Sequence, residues 1–379
     1  MRRNIIYTFI IIVFLFTFTN QVNANSESFE ITKKLEEYDK IVSHSFNNTL
    51  DGWNKTLFNN IQDAINAANN SEKILVMNGT YLENIVVNKN IKLKGEDKNN
   101  TIIDGNGKDI AVDIVSNNTN ISNLLIKNNQ TGATGINIQA INVTIHKNII
   151  TLNGWAGIQN SKNFDKCKII DNKITKNGYG IFLDKKTTIL DIKNNNIKNN
   201  SWDGIYLSKS ENSEISKNII ENNKDDGIGL NICKNILIIN NDILKNKDNG
   251  IYMFANNVLI ENNIISSNIN SGIFFKNSKN NDVNNNYINY NNEGLTLSSK
   301  STDNNIIGNN FVENSIGIYI YKNSKTNNYK DNGNIFLENN KDIVFEEKEN
   351  KSPGFSAIII LLSIFILLFL TKGFKKWSK

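Results

Sequence analysis

The chain has 379 residues, of which 76 are asparagine, 61 isoleucine and one proline. So much isoleucine can bury a core, which excludes a disordered chain, and the scarcity of Ala and Leu argues against an all-α fold. The formal charge of +5 sits at the ends: Arg2, Arg3, Lys372, Lys375, Lys376 and Lys379 have no acid beside them, so the rest of the chain carries −1, which argues against a nucleic-acid partner.

In chain order the first element is a leader. Arg2-Arg3, an apolar run from Ile5 to Phe18, and Val22-Asn23-Ala24 fit a secretory signal peptide over 1–24. An N-terminal extension is expected over 25–57. Phe58, Ile61, Ile65 and Ala68 then share one helical face, with Thr56 as N-cap, so a capping helix is expected over 58–73. It would cover the first rung of the repeat body, whose open edge would otherwise invite aggregation.

The body, 74–345, is a repeat. Ile74–Met77, Ile85–Val87, Ile91–Leu93, Thr101–Ile103 and Val112–Val115 read as strands. From Gly135 onward, Gly followed by Ile or Leu recurs at Gly157, Gly180, Gly204, Gly227, Gly250, Gly272, Gly294 and Gly317, at intervals of 22 to 24 residues. Between these glycines runs a second signature, Asn-x-Ile-x-x-Asn, from Asn148/Ile150/Asn153 to Asn286/Ile288/Asn291. Gly-Ile-x-Leu alternates as a half-buried strand does, and Asn and Gly tolerate the positive φ that bends require. Stacked rungs would set each Asn over its equivalent, with amides hydrogen-bonding along the stack. The expected fold is all-β: a three-sided, right-handed parallel β-helix solenoid of about twelve rungs, on the order of 55 Å long at ~4.8 Å per rung. A leucine-rich horseshoe is excluded by the missing Leu-x-x-Leu-x-Leu pattern.

A short charged linker, 346–352, leads to 353–379. There Pro353, Gly354 and Phe355 precede an apolar run, Ala357 to Leu370, and a Lys-rich tail. The run approaches the roughly 20 residues of a membrane-spanning helix, and the basic tail would lie in the cytoplasm, leaving the body outside the cell. The Pro-Gly-Phe, apolar, basic order resembles the archaeal PGF-CTERM sorting signal. That resemblance implies an archaeosortase-like processing partner and a lipid anchor in place of the helix.

The body also resembles a family. Ile61-Gln62-Asp63-Ala64-Ile65, Asn78-Gly79-Thr80-Tyr81, Glu83-Asn84-Ile85 and Thr101-Ile102-Ile103-Asp104-Gly105 look like the opening of secreted pectin-lyase-like β-helix proteins. The Gly-Ile and Asn-x-Ile repeats resemble the β-helix repeats of the NosD type. This fold hosts lyases, hydrolases, epimerases and pure binders, so resemblance sets the fold and not the activity. Many lyases on it use an Arg base, and the body has none. Of the motifs of galacturonase-like hydrolases only Asp225-Asp226 is present, and the Asp-Pro-His-Glu of mannuronan epimerases is absent. NosD-like metal handling would need soft or imidazole ligands, yet His44, His146, Cys167, Cys233, Met77 and Met253 are scattered. Cys167 and Cys233 are about three rungs apart, beyond disulfide reach, and read as buried thiols. His146 reads as an outward strand residue.

If Ile at Gly+1 and Leu at Gly+3 point inward, Gly+2 points outward. That column reads Asn137, Gln159, Phe182, Tyr206, Gly229, Tyr252, Phe274, Thr296, Tyr319. Beside it lie Trp155, Tyr179, Trp202, Asp203, Asp225, Asp226, Asp248 and Glu293. Rings stack on sugar faces and carboxylates accept hydroxyl hydrogen bonds, so Trp155, Tyr179, Phe182, Trp202, Tyr206, Tyr252, Phe274 and Tyr319 are the candidate glycan-binding residues. Gly229 leaves a gap beside Asp225 and Asp226 where a sugar unit, or Ca²⁺ on oxygen ligands, could sit. The bland alternative is an aromatic ladder that only stabilises strands. The expectation is a membrane-tethered cell-surface protein, structural or adhesive, that binds polysaccharide or cell-wall glycan. The alternatives are a polysaccharide hydrolase or lyase using Asp203, Asp225, Asp226 and Asp248, and a NosD-like metal or transport accessory.

Overall fold

A computed structural model describes residues 33, 34, 36–44 and 56–346, apart from 325 and 331. The expected leader, most of the linker and the sorting signal lie outside these residues. Among the described residues no helix is long and apolar enough to cross a membrane. The chain divides into units 1–344 and 345–379, and all but Phe345 and Glu346 of the described residues belong to the first.

That unit is a right-handed parallel β-helix of about twelve turns. Each turn lays down three short strands, as in Tyr179–Leu183, Asp191–Lys193 and Asn196–Lys198. One face is a separate sheet of 12 strands, from Gly79–Leu82 to Ile335–Leu337. The other two faces merge into one sheet, because strands such as Ile228–Ile239 and Ile251–Glu261 continue around the corner between them. The register is parallel and sets like on like: Ile181 on Ile205, Leu183 on Leu207, then Ile205 on Ile228 and Leu207 on Leu230. These side chains are fully buried, and each contributes roughly 1.5–3 kcal/mol of apolar burial.

Two stacks of asparagine run through the corners. Asn172 Nδ2 donates to Asn195 Oδ1 at 3.1 Å, Asn195 to Asn218 at 3.0 Å, and Asn218 to Asn241 at 3.0 Å. The same oxygens accept backbone N–H groups: Asn195 Oδ1 takes Asn172 N at 2.9 Å. The second stack includes Asn177, Asn200, Asn223 and Asn246. The bends bear out the expectation in large part: among the described residues Asn takes positive φ at 15 positions, including Asn194, Asn199, Asn222 and Asn240, each the first of an Asn-Asn pair. At the ladder corners the residue at positive φ is the one before the ladder Asn, and where it is not itself Asn it is often Lys: Lys176 at φ 58° precedes Asn177, and Lys217 at φ 55° precedes Asn218. Even Ile189 and Ile232, at other bends, adopt φ 54° and 55°. An L-residue there costs roughly 1–2 kcal/mol, and at Lys176 and Lys217 the buried hydrogen bonds of the following ladder Asn offset that cost.

The repeat glycine has a steric cause. A Cβ on Gly204 would stand 2.7 Å from Ile220 Cγ2, 2.8 Å from Asn223 Nδ2 and 2.8 Å from the carbonyl oxygen of Gly227. The ladder Asn and the Gly are therefore one packing unit, which is why they recur at the same period.

The N-terminal end departs from expectation. The helix is Ile61–Ala67, shorter than 58–73, and its N-cap is Asn60 rather than Thr56: Asn60 Oδ1 accepts Asp63 N at 2.8 Å. The Glu83 carboxylate accepts the first-turn N–H groups of Ile61 and Gln62, which no helix carbonyl can reach. Phe58 lies in a strand, Leu57–Phe58, beside another within the expected extension, Lys40–Val42. Lys40–Val42 pairs in turn with the strand Lys73–Val76, so the sheet begins before 74. Cys167 and Cys233 are free, buried thiols, pushed by burial up to about 12 and about 11. His146 is half-buried, its Nε2 within 3.0 Å of Asn120 Oδ1.

Candidate functional site

The Gly-Ile face positions the candidate residues. Gly+1 and Gly+3 point inward as expected, and most of the Gly+2 column is half-buried rather than free in solvent. Asn137 is an exception, fully buried and donating to Asp113 Oδ1 at 2.8 Å.

Five of the expected aromatic residues form one patch. Trp155 lies 5.6 Å from Tyr179, 5.3 Å from Phe182 and 5.4 Å from Trp202, ring centroid to centroid, each edge-on. Phe182 stacks on Tyr206 at 5.2 Å with 14° between planes. A second group lies further along the stack: Tyr252 stacks on Phe274 at 5.6 Å, and Tyr319 meets Tyr321 edge-on at 5.2 Å. The turn between the two groups is that of Gly229, whose register partners are Tyr206 and Tyr252.

At this gap the acids come together. One oxygen from each of Asp203, Asp225 and Asp226 lies within 4.8 Å of the others. Asp203 and Asp226 occupy the position just before the repeat Gly, and there they act as ladder residues. Asp203 Oδ1 accepts Asp226 N at 3.2 Å, Asp226 Oδ1 accepts Asn249 N at 2.9 Å, and Asn249 Oδ1 accepts Ser271 N at 3.1 Å. An Asn in such a ladder uses its second atom as a donor. An Asp instead leaves Oδ2 over, and Asp203 Oδ2 points toward the space that the missing side chain of Gly229 leaves open.

Burial dominates the electrostatics. It pushes the Asp203 carboxyl up to about 8, aided by the negative charges of Asp226, Asp225 and Asp248. Burial also raises Asp226, to about 7, against the stabilising hydrogen bonds from Asn249. Asp225, half-buried, is raised by burial and by Asp248. Asp248 does not continue the column of Asp226, whose place on that turn is taken by Asn249; it follows Asp225 instead, its N–H reaching Asp225 O at 3.3 Å. Its carboxylate accepts the side-chain amides of Asn249 and Asn270.

A cleft of about 570 Å³ adjoins the cluster, lined by the acids Asp226, Asp248 and Glu293 and the rings Tyr252, Phe274, Tyr319 and Tyr321. Asn249, Ser271 and Tyr321 were not legible as site residues, although Asn249 and Ser271 share the column of Asp203 and Asp226. A larger groove, about 910 Å³, lies on the neighbouring face, and none of the candidate residues lines it. The arrangement supplies ring surfaces on either side of carboxyl groups held near neutrality.

A family described as "Right handed beta helix region" matches residues 160–311 and 233–351. No curated protein sequence matches the chain. Among solved structures, the fold is similar to the A-module of the mannuronan C-5 epimerase AlgE4 of Azotobacter vinelandii, at 16% identity and TM-score 0.66, covering 76% of this chain and 92% of that one. It is also similar to the Dettilon tailspike protein, at 16% identity and TM-score 0.60, covering 70% of this chain and 62% of that one. A third is the catalytic unit of a thermostable GH87 α-1,3-glucanase from Streptomyces thermodiastaticus, at 13% identity and TM-score 0.51, covering 75% of this chain and 65% of that one. At such identities the likeness is one of fold, a fold shared with polysaccharide-acting enzymes.

Proposed function

The chain belongs to the right-handed β-helix family, and we propose that it binds a polysaccharide along the aromatic side of its Gly-Ile face and hydrolyses it at Asp203, Asp225 and Asp226. The observation that carries this reading is the convergence of three carboxyl groups, two of them pushed up to about 8 and about 7, between two groups of aromatic rings. Rings on both sides would hold sugar units flanking the bond to be broken. Asp203, still protonated at neutral pH, donates its proton to the departing glycosidic oxygen while the more solvent-accessible Asp225 carboxylate attacks the anomeric carbon. Water then cleaves the glycosyl ester, giving a proton back to Asp203 and freeing Asp225, the two-step route that closely spaced carboxyls suit. Asp226 lies within 4.8 Å of both, and its charge helps raise Asp203. Hydrolysis is favoured over β-elimination because no Arg follows Arg3 to neutralise a uronate during proton abstraction.

The test is purified full-length protein incubated with a polysaccharide panel and assayed for retention and for new reducing ends. New ends that vanish in Asp203→Asn support hydrolysis. Retention without new ends returns the protein to an adhesive role, with the rings and acids as a binding surface. Ca²⁺ is a competing occupant of the same carboxylates, so the assay runs with Ca²⁺ and with chelator. Cleavage that survives chelation leaves the cluster to proton transfer. We further propose that the body is displayed outside the cell, a reading supported by the leader-like 1–24 and by Pro353-Gly354-Phe355 with its apolar and basic followers. Mass determination of the mature protein would reveal whether a lipid replaces the residues after 353.

A further inference from the structure

We infer that the site takes an uncharged polysaccharide and turns away uronate and sulfated chains. The inference rests on the glycan-binding reading above and names its substrate class. Three of the residues lining the cleft, Asp226, Asp248 and Glu293, are acids, and none is basic. Asp225 extends the same charge past Gly229, while Asp203, protonated at neutral pH, adds none.

No lysine lines the cleft. Lys276 stands 5.9 Å from the Tyr252 ring centroid, over the ring rather than on a carboxylate. Lys224 and Lys247, next in sequence to Asp225 and Asp248, are exposed. Ion pairs elsewhere in the fold involve Glu96, Glu72, Asp104, Asp184, Glu211 and Glu221, and none of these reaches the cluster. Recognition of a sugar carboxylate or sulfate is best served by the planar fork of Arg, and no Arg lies anywhere in the fold.

The protein's own acids report the field that a ligand would meet. The charges of Asp225 and Asp248 help raise Asp203 and Asp226. A uronate carboxylate entering the cleft would meet the same repulsion with no lining cation to relieve it. Sugar hydroxyls meet the opposite situation: Asp248 and Glu293 accept from them, the Asn270 amide and Ser271 hydroxyl can exchange hydrogen bonds with them, and the rings take the apolar sugar faces.

The test uses polymers matched in backbone: polygalacturonate and its carboxyl-reduced form, mannuronan and its carboxyl-reduced form, and 6-carboxycellulose and cellulose. Retention and new reducing ends are measured with full-length protein at about 0.15 M salt, where charges a few ångströms apart remain poorly screened. In each pair that is recognised, the uncharged member is retained at least about tenfold more tightly. The double variant Asp248→Asn, Glu293→Gln keeps the side-chain acceptor oxygens and raises retention of the uronate member at least about threefold. Equal or tighter retention of the uronate, or a double variant with unchanged uronate retention, overturns the inference while leaving the glycan reading intact. Retention of neither member of any pair sinks the glycan reading, and the inference with it.

Discussion

Gly229 and Asp203 are locked together across adjacent turns: a Cβ at 229 would stand 2.8 Å from Asp203 Oδ2 and 3.2 Å from Tyr206 Cδ2. In a column otherwise rich in large side chains, glycine here keeps the carboxyl oxygen that the ladder does not use open to the groove. Gly229→Ala forces that oxygen to move, since real Cβ atoms do not approach so closely. A displacement of about 1 Å can cost on the order of 100-fold in rate. The expected outcome is a turnover loss of at least about tenfold with circular dichroism unchanged. Full activity in the alanine variant would remove Asp203 from the chemistry.

The raised carboxyls also set a pH signature. The folded value of Asp203, about 8, lies above the 3.8 of an unperturbed Asp, so the native state holds a proton that the unfolded chain has released. Its contribution to stability is full below about pH 4 and is lost as pH rises through about 8. Asp226, raised to about 7, acts in the same direction. The melting temperature is expected to fall between pH 5 and 9, and Asp203→Asn, which keeps the acceptor for Asp226 N, flattens that fall by at least about 2 °C. Hydrolysis should decline on the alkaline side near pH 8 as the donor ionises. A melting temperature that rises across this range would contradict the protonated state of the pair.

The fold was legible because its cause is periodic. One steric contact, between the repeat Gly and the ladder Asn and Ile of the next turn, recurs every 22 to 24 residues and leaves its trace in the sequence. The corners were legible in part: Asn-Asn pairs such as those of Asn194 and Asn222 mark many of them, but the corner also imposes positive φ on Lys217, ahead of a ladder Asn, and even on Ile189. The first turn was hidden because Lys40–Val42 and Leu57–Phe58 are short strands outside the repeat, pairing with partners distant in sequence. In the site, the aromatic column and the acids were legible from spacing alone. Their convergence was not, because it depends on which oxygen of Asp203 and Asp226 the ladder uses.

The asparagine stack predicts an unusually costly surface-distant substitution. Asn218 is buried; it donates to Ile192 O at 2.9 Å and Asn241 Oδ1 at 3.0 Å, and it accepts from Asn195 N and Nδ2. Asn218→Ala strands these partners without water, at about 1–3 kcal/mol for each buried group left unpaired. Denaturant unfolding should therefore show a loss of at least about 2 kcal/mol. The control is Lys217→Gly, next door at φ 55°, which relieves backbone strain and should leave stability equal or higher. Comparable losses at both positions would mean that the corner is held by backbone pairing rather than by the ladder.

The last prediction separates an aromatic binding face from an aromatic scaffold. Tyr206 and Tyr252 flank the acid gap on its two sides, each stacked on one neighbour, Phe182 and Phe274. Both are half-buried, so one ring face is committed to packing while part of the ring stays accessible. If the rings carry sugar units, removing either should weaken retention about tenfold, a stacking contribution on the order of 1 kcal/mol or slightly more. Removing both should abolish retention, since units on each side of the cleaved bond lose their platform. If the rings only brace the strands, Tyr206→Ala and Tyr252→Ala lower the melting temperature and leave retention per folded molecule unchanged. Affinity electrophoresis in polysaccharide gels, paired with thermal melts of the same samples, distinguishes the two outcomes because each moves one readout and spares the other.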